Sequence, residues 1–184
     1  MHKIGKLLCL FVFLFAAFNS RAQKIQFKKK WTARSVLSQP KGFRPKPEIY
    51  LTPKYIKKVL KKYKNGGSFI TSADIINKNP GEFPGWSGGQ FIYTTRQMDE
   101  IMEIAGGNKT RLERELHLKP GTLTKKIMYR VDVPHPRAYN LRLPSGNEPA
   151  ANESWEPGGQ LSNGRLQAVI DQVPAGEFTV TKIE

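Results

Sequence analysis

Hydrophobic spacing changes along this chain, from a three-and-four-residue repeat to strict alternation, and that switch limits the fold more than any other feature. Tyr55, Ile56, Val59, Leu60 and Tyr63 lie along one side of a helix. Thr52-Pro53 before them and Asn65-Gly66-Gly67 after them are start and stop signals. Met98, Ile101, Met102 and Ala105 repeat the pattern in a helix from Thr95 that ends at Gly106-Gly107. Thr110 and Glu113 read as the capping box of a short helix ending near Leu116. Further on, Ile127, Tyr129, Val131 and Val133 alternate with Met128, Arg130 and Asp132, the period of a strand. Leu166–Ile170 and Phe178–Ile183 read as two closing strands around Pro174-Ala175-Gly176. Ser68–Ser72 fits a short strand or a loop, and Gly85–Tyr93 is a glycine-rich turn feeding an apolar strand. N-terminal helices followed by a small, mostly antiparallel sheet make a single α+β domain. Residues 144–165, rich in proline and glycine, form a long loop, of the kind that is functional or disordered in a compact domain.

The ends divide the chain further. Lys3 and Lys6 precede an unbroken apolar run of twelve residues, Leu7–Phe18, and Ser20 and Ala22 follow it. These are the three parts of a secretory signal, with cleavage after Ala22. As a helix the run would rise about 18 Å, short of the ~30 Å hydrocarbon core, so a transmembrane anchor is not expected. The expected divisions are a signal peptide at residues 1–22, a basic extended arm at 23–50 and an α+β domain at 51–184. The single cysteine, Cys9, lies inside the apolar run. The mature, secreted chain from Gln23 therefore has no disulfide, no thiol nucleophile and no thiolate metal site.

The formal charge of +15 is unevenly spread. Lys24 to Lys64 holds 14 basic residues against one acid, Glu48, whereas Asn65 to Glu184 holds 13 basic and 14 acidic residues. The basicity belongs to residues 24–64. Lys54, Lys57, Lys58, Lys61 and Lys62 occupy the side of the first helix opposite its apolar stripe. Two readings follow: a basic amphipathic helix docked on the domain, or a surface drawn to an anionic polymer or membrane.

Much familiar chemistry is excluded. Two histidines, His117 and His135, remain after the signal, too few for a histidine-rich metal site, and no calcium-loop spacing occurs. No nucleophile elbow, phosphate-binding loop or dinucleotide fingerprint is present. Three features remain. Gly88-Gly89-Gln90-Phe91 sets open backbone beside an aromatic, either for a flat ligand ring or as a tight packing turn. Arg111 and Arg114 lie before Lys119-Pro120-Gly121, suited to phosphate oxygens or neutralised by Glu113 and Glu115. Trp155 precedes Pro157-Gly158-Gly159 and then Gln167, a strand glutamine placed to bind a sugar hydroxyl or to face water.

The order of these pieces carries a resemblance. It runs Gly89-Gln90-Phe91, then Arg114-x-Leu116-x-x-Lys119-Pro120-Gly121-x-Leu123, then Tyr129-Arg130-Val131-x-Val133, then Trp155, Pro157-Gly158-Gly159 and Gln167. This resembles the secreted necrotizing-toxin family of NAD glycohydrolases, whose pattern runs Gly-x-Phe, Arg-x-Leu-Pro-Pro, Tyr-x-Val, aromatic, Pro-Gly-Gly-Gly-x-Gln. A wider kinship with the C-terminal domains of bacterial polymorphic toxins is also implied. The likeness covers roughly residues 85–183. Two departures stand out: Leu118-Lys119-Pro120 replaces Leu-Pro-Pro, and Leu161 to Arg165 intervene before Leu166-Gln167.

The resemblance implies an enzyme, a toxin-like NAD(P) glycohydrolase cleaving the nicotinamide–ribose bond. Gln167 would act at the ribose, and Arg114 or Arg130 at the diphosphate. Gly89, Phe91, Trp155 and Gly159 would hold the rings. NAD or NADP is then a substrate, with no cofactor and no metal in the chemistry, and an inhibitor or immunity protein is an implied partner. Two other classes stay open: a ribonuclease-type toxin using His117 and His135 as acid and base, and a non-enzymatic secreted domain that binds anionic surfaces through its basic arm.

Overall fold

The computed structural model describes residues 24–78 and 80–183. The signal peptide expected at residues 1–22 and Asn79 of the expected Asn79-Pro80-Gly81 turn lie outside the described residues. Among the described residues, six α-helices and five strands follow in the order α1 (Ala33–Leu37), α2 (Pro47–Tyr50), α3 (Pro53–Leu60), β1 (Gly67–Ser72), α4 (Ala73–Lys78), β2 (Gln90–Thr94), α5 (Thr95–Ala105), α6 (Lys109–Glu115), β3 (Met128–Val133), β4 (Ala168–Ile170) and β5 (Thr179–Lys182). The strands form one sheet in the order β4-β2-β1-β3-β5, and every neighbouring pair is antiparallel. The fold is α+β.

Helix α3 forms where the apolar spacing places it. Thr52 accepts the amide of Tyr55, Pro53 opens the first turn, and Tyr55 and Val59 point inward. A 3-10 turn at Lys61–Asn65 extends it and buries Tyr63, whose hydroxyl donates to Ile92 O at 3.3 Å. Gly66, with φ of 106°, ends the segment. A Cβ there would lie 2.7 Å from Thr95 Oγ1, so both the backbone conformation and the close approach require glycine. The lysines of the opposite face stay exposed, consistent with docking by the apolar stripe.

Ser68–Ser72 is a strand, and β1 becomes the centre of the sheet. Its partners set the two faces by strict alternation. Phe69 lies opposite Val131, and with Ile92, Ala168 and Ile170 it packs beneath Tyr63. On the other face Ile70, Tyr93 and Met128 pack against Met98, Ile101 and Ala105 of α5 and Leu112 of α6.

The basic segment differs from the extended arm expected for residues 23–50. It wraps the domain and contributes to its core. Phe27 bridges Leu51, Lys28 N donates to Tyr50 O at 2.8 Å, and Thr52 N donates to Gln26 O at 3.0 Å. Thr32 and Ser35 form a reciprocal capping box for α1. Val36 and Tyr50 are each 0% exposed, in a cluster with Tyr55, Leu143 and Trp155. Phe27 stacks on Tyr50 at 6.1 Å. The apolar residues of this segment show no period because it crosses the domain in short turns, and each side chain meets a different neighbour.

Thr110 and Glu113 do not form the expected capping box. Asn108 caps α6 by accepting the amide of Arg111. Glu113 is 2% exposed and accepts the amides of Gly121 at 2.9 Å and Leu123 at 2.6 Å. A carboxylate satisfies two amides of a turn better than the single N-cap amide, and the helix brings that turn within reach.

Candidate functional site

The face of the sheet that carries Phe91 and Tyr93 forms the floor of a cleft with a cavity volume of about 210 Å³. One wall is the turn after α6, through Leu116, His117, Leu118 and Leu123; the other is the long loop, through Ala151, Asn152, Ser154, Trp155 and Leu161. Trp86 stands at the side from the glycine-rich turn, and Gln167 enters just before β4. No lysine, arginine or carboxylate lines the cleft among the described residues. The cleft is aromatic and amide-bearing, which suits a flat ring attached to a polar group.

Strand register brings Gln167 here. Phe91 pairs with Val169 and Ile92 with Ala168, so Tyr93 and Gln167 come next on the same face. Gln167 Nε2 donates to Tyr93 Oη at 3.0 Å, and Tyr93 Oη donates to Leu116 O at 3.2 Å. Burial pushes the Tyr93 hydroxyl up to about 12, against smaller lowering effects of the Gln167 hydrogen bond and the Arg165 charge, so it stays protonated at neutral pH. With Nε2 held by Tyr93, Gln167 Oε1 has no protein donor among the described residues and is a free acceptor in the cleft.

Of the residues expected from sequence, the cleft gathers Phe91, Trp155 and Gln167. Gly89 and Gly159 lie outside its lining. Gly89 has φ of 116°, and a Cβ there would lie 2.7 Å from Val169 Cγ1. Gly159 accepts the amide of Gln167 at 2.9 Å, and a Cβ there would lie 2.7 Å from Gln167 O. Both glycines are explained by tight packing. Arg114 is exposed on α6, outside the cleft lining. Arg130 is outside as well, its guanidinium bound to Asp99 at 2.6 Å and Asp132 at 2.9 Å.

The five residues from Leu161 to Arg165 close on themselves. Leu161 N donates to Arg165 O and Gly164 N to Leu161 O, each at 2.8 Å, while Arg165 reaches Glu115 at 2.5 Å. This closed turn leads directly into the strand approach of Gln167, whose amide donates to Gly159 O. Sequence reasoning did not single out Tyr93 or Trp86 as cleft residues. The signal for Tyr93 was its two-residue spacing from Phe91; His117, a turn residue with φ of 54°, enters from sequence only as an acid–base candidate of the ribonuclease reading.

Glu113 acts on the site through the turn it holds. Its two backbone donors keep its carboxyl below the usual carboxylate range. A depressed carboxyl contributes stability that is present above its unfolded pKa, about 4.3, and is lost as pH falls through the folded value. Glu113→Gln should therefore lower the melting temperature at pH 7 and make a smaller difference near pH 3. A deficit equal at both pH values in thermal melts would rule out the charge as the cause.

Compared with known protein families, the chain matches none, and no curated protein matches it either.

Proposed function

We propose that the chain is a secreted, toxin-like NAD(P) glycohydrolase. One observation carries this reading: Phe91, Trp155 and Gln167, drawn from three separate segments, line a single cleft. Water adds to ribose C1′, the C1′–N bond breaks, and nicotinamide leaves with the bonding electrons as a neutral molecule. The proton from water goes to solvent. Positive charge grows on the ribose as the bond breaks, and the free Oε1 of Gln167 is a fixed dipole suited to that charge or to a ribose hydroxyl. The aromatic walls hold the departing ring. Arg114 remains the diphosphate contact of this reading; Arg130 drops out, because two carboxylates already occupy its guanidinium. The ribonuclease alternative is disfavoured by its own acid–base pair, since His117 lines the cleft while His135 is exposed beyond β3.

The test is incubation of the mature protein with NAD and, separately, with RNA, followed by chromatography. Nicotinamide and ADP-ribose should appear in equal amounts. Cleaved RNA beside intact NAD would replace this reading with the ribonuclease one.

The basic segment supports a second contact within the same proposal, an anionic polymer or membrane surface, besides an inhibitor or immunity protein. Among the described residues no helix is long and apolar enough to cross a membrane. Lys57, Lys58, Lys61 and Lys62 are exposed and form no ion pair among the described residues. Changing all four to glutamine should remove most salt-sensitive retention on heparin or anionic vesicles, with the melting temperature preserved. Unchanged retention would place the footprint elsewhere.

A further inference from the structure

We infer that Trp86 is an outer stacking subsite for a second planar ring of the ligand, the adenine of a dinucleotide; this rests on the reading of the cleft given above. The cavity volume of about 210 Å³ falls below the ~300–1,000 Å³ of sites that enclose drug-sized ligands. It has room for one ring and its sugar, so the remainder of a dinucleotide must lie beyond the rim. Trp86 lines that cleft, is 53% exposed and makes no ring contact among the described residues. A single exposed apolar side chain needs no explanation by itself. Here the backbone beneath it is anchored.

Trp86 N donates to Gln90 Oε1 at 3.1 Å, and Gly89 N donates to Trp86 O at 3.2 Å. Gln90 is itself fixed, through Nε2 to Phe91 O at 2.7 Å. A Cβ on Gly88 would lie 2.9 Å from Pro149 Cγ, so the turn is pressed against the long loop that forms the far wall. The indole is thus carried on a braced turn next to the enclosed ring site. A braced aromatic face loses little conformational freedom when a base stacks on it.

The experiment measures steady-state kinetics with NAD and with nicotinamide mononucleotide, which lacks the adenine half, for wild type, Trp86→Ala and Trp86→Phe. Calorimetry with ADP-ribose follows binding without turnover. Trp86→Ala should raise KM for NAD and Kd for ADP-ribose about tenfold, in line with base–aromatic stacking, and leave kcat within about twofold, since stacking acts alike on ground and transition states. Trp86→Phe should recover most of the loss, and KM for the mononucleotide should rise far less than KM for NAD with either change. An unchanged KM for NAD, or an equal rise for the mononucleotide, overturns the subsite. If wild type binds ADP-ribose through Trp86 but releases no nicotinamide, the subsite stands and the reaction falls. If ADP-ribose does not bind, the subsite falls.

Discussion

A chain lacking residues 24–50 should not fold. Val36 and Tyr50 are fully buried, and removing two such side chains alone forfeits about 3–6 kcal/mol of apolar burial. That is a large share of the 5–15 kcal/mol typical of a native domain. The same deletion removes the brace behind the long loop. Lys41 Nζ donates to Pro149 O at 3.1 Å and to Ala151 O at 2.7 Å. Asn147 Oδ1 accepts the amides of Gly42 at 2.7 Å and Arg44 at 3.2 Å. The Arg44 guanidinium lies 4.8 Å from the centre of the Trp155 ring, so the wall of the cleft rests on the basic segment. Several of its cations are structural parts. Circular dichroism of residues 51–184 should show no cooperative melt. A transition within a few degrees of the full-length protein would mean that the segment is dispensable after all.

Gln167→Ala should lower NAD turnover by about a hundredfold, close to 3 kcal/mol at the transition state. The expectation rests on its free Oε1 and on the Tyr93 hydroxyl that holds its amide in one orientation. Folding should change little. Gln167 is only partly buried, and the Tyr93 hydroxyl keeps its bond to Leu116 O when the amide is gone. A melting temperature within two or three degrees of wild type, together with the loss of turnover, separates a catalytic role from a structural one. Normal turnover by this variant would move the reacting group elsewhere in the cleft, while the reaction itself would stand.

What the sequence by itself determined was local. Thr52-Pro53 and the spacing of Tyr55, Val59 and Tyr63 specify α3 and the turn after it, because each signal lies within one or two helical turns of the residues it orders. Met98, Ile101 and Ala105 specify α5 in the same way, and alternation specifies β3. These elements are enough for the α+β class. The position of Gln167 opposite the Ala168 face was also legible, since alternation needs no partner. What faces Gln167 was decided by the pairing of β2 with β4, a contact between strands far apart in the chain whose register no local pattern encodes.

The same reason separates the remaining outcomes. Arg130 reads equally well as a phosphate ligand or an ion-pair residue until β3 and α5 place Asp132 and Asp99 beside it. Glu113 reads as a cap until the turn after α6 folds back onto it. Residues 24–50 read as an arm because Phe27, Val36 and Tyr50 share no period. They become core only when the rest of the chain supplies the other side of each contact. Local order follows from neighbours along the chain, and the roles of these side chains follow from neighbours in space.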